Sequence, residues 1–174
     1  CVVVGEVSLP NGEKYPECKD NEYTLRHFAS DILPGQLATM MYRNYMTDAD
    51  MDRSLILHGA GPGDRNIIFS ALCRGRIYCD SAVMSAYRHV TSGGSSFSAT
   101  FRYSYDTEEL AARRRLEFAY KTGDREAVRC TELLYLKNIR GAIVHRRIGL
   151  GRAWKELQNI RHKWAAALRL LKFD

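Results

Sequence analysis

No apolar run in this chain approaches the ~18 residues that a membrane-spanning helix needs, so no transmembrane anchor is expected. The opening Cys1-Val2-Val3-Val4-Gly5 lacks the charged and apolar regions of a signal peptide. It begins on Cys rather than Met, which suggests a processed product. Proline is scarce, with four residues in 174, and neither an internal repeat nor a low-complexity tract is present, which excludes fibrous and proline-rich classes. Cysteine is both few and odd in number: Cys1, Cys18, Cys73, Cys79 and Cys130 stand at scattered spacings. A disulfide framework needs pairs, so reduced thiols in an intracellular, reducing and most simply cytoplasmic setting are expected.

Metal and nucleophile signatures are missing as well. Zinc sites favour ligand pairs two to four residues apart, and His27, His58, His89, His145 and His162 form no cluster with Cys73 and Cys79, so no metal site is expected. Asp48, Asp50 and Asp52 alternate like the start of a calcium loop. Arg53, however, occupies the position that needs glycine, and Gly59 the one that needs a bidentate glutamate. No serine or cysteine sits in an elbow placed against a histidine, and no catalytic residue is assigned.

What is present is enough for a core. With 45% hydrophobic residues, the chain can fold as one compact domain with a real core, or as one domain plus a helical appendage. Its charge of +6 is unevenly distributed: residues 102–174 hold 17 Lys/Arg against 9 Asp/Glu, and residues 1–101 hold 9 against 11. A positive excess in one segment points to a polyanionic partner, with nucleic acid, RNA in particular, as the first expectation. Arg113, Arg114, Arg115, Arg146, Arg147 and Arg152 are the candidate phosphate contacts.

Periodicity divides the chain into a front portion, 1–105, and a basic helical portion, 106–174. Val2–Leu9 reads as a strand returning after Pro10-Asn11-Gly12. Tyr23–Asp31 turns helical through Leu25, Phe28 and Ile32, and a second helix runs through Leu37, Met40, Met41 and Tyr45. Residues 65–74 are expected to form a helix burying Ile67, Ile68 and Leu72, Asp80–Val90 another, and Phe97–Tyr105 a strand whose aromatics suit core packing or base stacking. Asp106-Thr107-Glu108-Glu109 starts a helix that runs to Lys121. Gly123-Asp124 ends it and caps the next, which carries Val128, Leu133, Leu136 and Ile139; Ala142–Ile148 extends that helix or forms a short strand. Beyond Gly149-Leu150-Gly151, residues Trp154, Leu157, Trp164, Leu168 and Leu171 fall on one side of a long helix beside a cationic strip of Lys155, His162 and Arg169. That helix is expected first to pack on its own domain, with lying on an anionic membrane surface or holding a partner helix as the alternatives.

One constellation in the front portion carries chemistry. Ser54-Leu55-Ile56-Leu57-His58 reads as a strand, Gly59-Ala60-Gly61-Pro62-Gly63-Asp64 as a glycine loop, and Arg76-Ile77-Tyr78-Cys79-Asp80 as a second strand ending in an acid. Alternating glycines let backbone approach a ligand closely, and a helix after them aims N–H groups at it. No Gly-Lys-Ser/Thr follows, so the loop is not a Walker cradle. Asp64 in place of a third small residue also departs from the dinucleotide fingerprint.

In this order the segment resembles the first motifs of class I S-adenosylmethionine-dependent methyltransferases over residues 54–106. The resemblance implies an α/β fold, with a small Rossmann-like parallel sheet ahead of the helical portion. It also implies S-adenosylmethionine as cofactor, held by Gly59, Gly61, Gly63, Asp80 on the ribose and Asp106 facing the adenine. Leu57 stands where the family usually has an acid, and no fourth strand follows residue 106. Two function classes therefore arise: a methyltransferase acting on or docked to nucleic acid, and a non-enzymatic basic RNA-binding protein of nucleocapsid or ribonucleoprotein type.

Overall fold

The computed structural model of the chain describes residues 22–32, 34, 40–41, 47–48, 52–57, 63–80 and 104–167. They belong to two compact units. One draws on Cys1–Met51 and Arg74–Tyr103, the other on Asp52–Cys73 and Ser104–Asp174. The expected hairpin at 2–15, the expected helix after Asp80 and most of the strand before Tyr105 lie outside the described residues.

In the first unit, β1 (Glu22–Tyr23) pairs antiparallel with β2 (Ile77–Tyr78), in the register Glu22 to Tyr78 and Tyr23 to Ile77. Tyr23 and Ile77 face inward and are buried, while Arg76 lies 3.7 Å from Glu22 on the exposed side. Helix α1 (Leu25–Ala29) follows directly. The Thr24 N–H donates to His27 Nδ1 at 3.1 Å, which occupies one of the amides that the first helical turn leaves unpaired. The Tyr23 hydroxyl donates to the Ile32 carbonyl at 2.6 Å and closes the segment, in which Phe28 is fully buried.

A parallel, Rossmann-like sheet is not what the chain builds. The described residues are mostly helical, and their sheet is the two-stranded antiparallel pair. Ser54–Leu57, expected as the first parallel strand, is a helical turn, α2. A serine and three apolar residues fit either conformation, and here the start signal decides. The Asp52 carboxylate accepts from the Ser54 N–H at 2.9 Å, a local bond that favours the turn. A hydrogen bond from the Ser54 side chain, then that backbone bond, and after them the nearby charge of Lys121 at 3.6 Å, hold the Asp52 carboxyl below the ordinary carboxylate range.

The second unit is built from helices. Helix α3 (Gly63–Arg74) buries Ile68 and Phe69 fully, while Ile67 and Leu72 are half-buried. Helix α4 (Tyr105–Thr122) carries Asp106 and Glu108 in its first turn, where acids complement the helix dipole. Phe69 meets Phe118 of α4 edge to face at 6.2 Å, and Arg115 of α4 donates to Asn66 Oδ1 at 3.0 Å in a buried contact. Gly123 ends α4 in the left-handed conformation, φ 69°, with its N–H on the Ala119 carbonyl. Asp124 then caps α5 (Arg125–Val144), accepting from the Ala127 N–H at 2.7 Å. A link this short folds α5 back along α4. Residues 142–144 extend α5 rather than forming a strand.

The long C-terminal helix expected from the tryptophan spacing is interrupted. Helix α6 spans Leu150–Leu157, the chain turns through 158–162, and residues 163–167 are helical again. The turn shifts the register, so the buried apolar side chains are Ala153, Ile160 and Ala166, while Trp154 is 66% exposed and Trp164 80% exposed. The core of the unit joins Tyr105, Leu116, Tyr135, Ile139, Ile148 and Ile160.

Among the described residues no helix is long and apolar enough to cross a membrane.

Candidate functional site

Two polar networks hold α6 and the segment after it on the α4–α5 hairpin. In the first, Glu156 of α6 accepts from Tyr135 at 2.5 Å, from Arg113 at 3.1 Å and from Asn159 at 3.1 Å. Glu109 also pairs with Arg113, and Arg152 bridges Asp106 at 2.7 Å and Glu109 at 3.5 Å. Both glutamates are buried, so each bond offsets part of the cost of removing a carboxylate from water. Burial, then the bond to Glu156, raises the Tyr135 pKa. Burial works against the Arg113 charge, but Tyr135, Glu109 and Glu156 outweigh it and leave its pKa raised.

The second network opens to solvent. Glu132, fully buried on α5, receives three bonds on a single oxygen, Oε1. They come from the Tyr120 hydroxyl at 2.8 Å, the His162 N–H at 3.0 Å and His162 Nδ1 at 3.0 Å. Oε2 has no hydrogen-bond partner among the described residues. Because a carboxylate only accepts, Nδ1 carries hydrogen, and in the neutral ring Nε2 is then the acceptor, on an imidazole 64% exposed. Burial, together with the bond to Glu132, pushes the Tyr120 phenol up to about 12.

A cavity of about 450 Å³ lies over this network, lined by Tyr120, Arg125, Arg129, Glu132, Arg161 and His162. Arg161 is fixed on its rim: its guanidinium stacks 4.1 Å from the centre of the Tyr120 ring, and its N–H donates to the Tyr120 hydroxyl at 2.9 Å. Arg125 and Arg129 sit one turn apart on α5 and are exposed. None of the three arginines has an ion-pair partner among the described residues, and they face one carboxylate. The site therefore presents cations and planar donors that suit an anionic ligand.

The residues singled out in the sequence fall elsewhere. Arg113 and Arg152 are engaged in the first network, Arg114 pairs with Glu117 at 3.2 Å, and Arg115 is buried against Asn66. Arg146 and Arg147 are exposed in the turn after α5. Gly59 and Gly61 lie outside the described residues. Gly63 is the first residue of α3, Asp80 is exposed beyond β2, and Asp106 is held by Arg152. Residues 54–57 are helical and β2 pairs antiparallel, so the two expected strands on either side of the glycines do not form a parallel pair.

Two cysteines are also accounted for. Burial pushes both Cys73 and Cys130 up to about 12, so neither is a thiolate at neutral pH.

The cavity residues were legible only in part. Arg125, Arg129 and Glu132 fall at i, i+4 and i+7, a stripe along one helix face. His162 stood out as one member of the cationic strip. That Arg161 and His162 would meet the α5 stripe depends on the turn at 158–162, which no local signal announces.

Comparison of the chain with family models, curated proteins and solved structures finds no match in any of the three.

Proposed function

We propose that the helical unit binds single-stranded RNA, seating backbone phosphate on Arg125, Arg129 and Arg161. The observation that carries this reading is the convergence on one cavity of three arginines without carboxylate partners among the described residues, in a chain whose positive excess lies in the same segment. Guanidinium forks match phosphate oxygens, and a stacked arginine such as Arg161 keeps its donors oriented before the ligand arrives. Exposed Trp154 and Trp164 belong to the same unit and offer faces on which unpaired bases stack. The S-adenosylmethionine-dependent transferase reading is supported by motif order over residues 54–106 alone and ranks behind this one.

The test is fluorescence anisotropy of a labelled single-stranded RNA at several salt concentrations. Each phosphate contact contributes roughly 0.7 to the slope of log affinity against log salt for a single strand. Replacing Arg125, Arg129 and Arg161 together with alanine is expected to flatten that slope by about 2 and to weaken binding at every salt. A slope unchanged in the triple variant overturns the proposal.

A further inference from the structure

We propose that the cavity also cleaves the RNA it binds, with His162 as general base and Glu132 as the residue that positions it. This rests on the RNA-binding reading and extends it from binding to a reaction.

The argument begins with the unusual state of Glu132. A fully buried carboxylate with one oxygen unpartnered among the described residues is costly, and a glutamine or an aliphatic residue would serve packing alone better. All three of its donors converge on Oε1, and two of them come from His162. The bonds from the His162 backbone and from Nδ1 fix both the chain and the ring, so the imidazole can neither rotate nor exchange tautomers without losing one. Nε2 is left facing outward on a largely exposed ring that lines the arginine cavity. An imidazole oriented by a buried carboxylate, with its second nitrogen open, is the arrangement by which proteins hold a general base.

RNA carries its own nucleophile. With a phosphate on Arg125, Arg129 and Arg161, the neighbouring 2′-hydroxyl is the acidic proton closest to the phosphorus. Nε2 of His162 takes that proton, and the 2′-oxygen attacks phosphorus. A P–O2′ bond forms as the P–O5′ bond breaks. The departing 5′-oxygen takes a proton from solvent water, and the imidazolium returns its proton to the hydroxide left behind. The products are a 2′,3′-cyclic phosphate and a 5′-hydroxyl, with nothing oxidised or reduced. The three arginines stabilise the extra negative charge on the phosphoryl oxygens in the transition state. Replacing either an essential base or a charge-stabilising arginine in such a site typically costs about 100-fold or more in rate.

The experiment uses the full chain with three matched oligonucleotides: RNA, its 2′-O-methyl analogue and the corresponding DNA. Binding is followed by anisotropy on the 2′-O-methyl strand, and products by mass spectrometry. The expected result is cyclic-phosphate product from RNA only, a loss of at least about 100-fold in His162→Gln with binding to the 2′-O-methyl strand retained, and a similar loss in Arg129→Ala. For Glu132 the readout is the pH–rate profile. Glu132→Gln is expected to move its acidic limb and lower kcat with KM little changed, and Glu132→Asp to restore part of the rate. His162 is mostly exposed, so its replacement leaves the core intact, which a thermal melt verifies. Binding without cleavage overturns the reaction and leaves the binding proposal standing. Cleavage of DNA, or cleavage undiminished in His162→Gln, also overturns it. Failure to bind the 2′-O-methyl strand overturns the binding proposal itself.

Discussion

Arg115 of α4 donates to Asn66 of α3 across 3.0 Å, in a contact buried on both sides and joining residues 49 apart in the chain. It ties α3 to α4 within the helical unit, next to the edge-to-face pair of Phe69 and Phe118. Arginine rarely tolerates this degree of burial unless it is hydrogen-bonded. Replacing Arg115 with alanine strands a buried acceptor and removes packing along the aliphatic stem, at a cost of about 1–3 kcal/mol in urea unfolding. Because the side chain does not reach solvent, the salt dependence of RNA binding is expected to stay as it is in the parent. A change in that slope with no loss of stability would reverse the assignment and make Arg115 a phosphate contact.

The turn between α4 and α5 is set by two residues with different jobs. Gly123 holds φ at 69°, and a Cβ built there meets nothing within 4 Å, so Gly123→Ala tests backbone conformation alone and is expected to cost about 1–2 kcal/mol. Asp124→Ala removes the cap on the Ala127 N–H and is expected to cost about 1 kcal/mol. The two residues are adjacent, so the double variant is expected to depart from additivity. Chemical denaturation of the three variants measures each term.

Alkaline stability follows from Tyr120. Its folded-state phenol is raised to about 12 from an ordinary 10.0, through burial and the bond it gives to Glu132. A group whose pKa is raised on folding holds its proton more tightly in the folded protein. Its contribution is therefore complete below about pH 10 and is lost as pH rises from about 10 towards about 12. Tyr135, raised in the same direction, adds to the slope. Tyr120→Phe is expected to lower stability at pH 7 and to make its decline above pH 10 shallower than in the parent. Unfolding free energies measured at neutral and alkaline pH check both expectations, and an equal decline in parent and variant would contradict the second.

How far the fold could be read in advance follows from how local its signals are. The α4–Gly123–Asp124–α5 hairpin was legible because a left-handed glycine, an acid cap and a 3.6-residue apolar period all act within a few residues. The run Ser54–Leu57 was not. Three apolar residues in a row carry no period, and its conformation is settled by the Asp52 bond at one end and the neighbouring helix on one face. β2 forms at the expected place, but its partner is Glu22–Tyr23, a pairing between distant residues that no spacing encodes. The basic character of the C-terminal segment was visible as a sum. Which arginines remain available was not, because Arg113 and Arg152 are taken up by glutamates brought close only by the packing of α6.

The two tryptophans of the C-terminal segment give the sharpest contrast between the apolar period and the fold. Read as one continuous helix, Trp154 and Trp164 would anchor a core face, and truncating either would cost about 3–5 kcal/mol. The turn at 158–162 instead hands the buried positions to Ala153, Ile160 and Ala166 and leaves both indoles in solvent. Trp154→Ser and Trp164→Ser are therefore each expected to change the unfolding free energy by no more than about 0.5 kcal/mol, as surface substitutions do. If their exposed faces stack on bases, the same variants weaken binding to single-stranded RNA by about 1–3 kcal/mol for each base left unstacked. Denaturation and anisotropy on one pair of proteins separate the cases. A large stability loss restores the continuous helix, whereas weaker binding at constant stability assigns the indoles to the RNA surface.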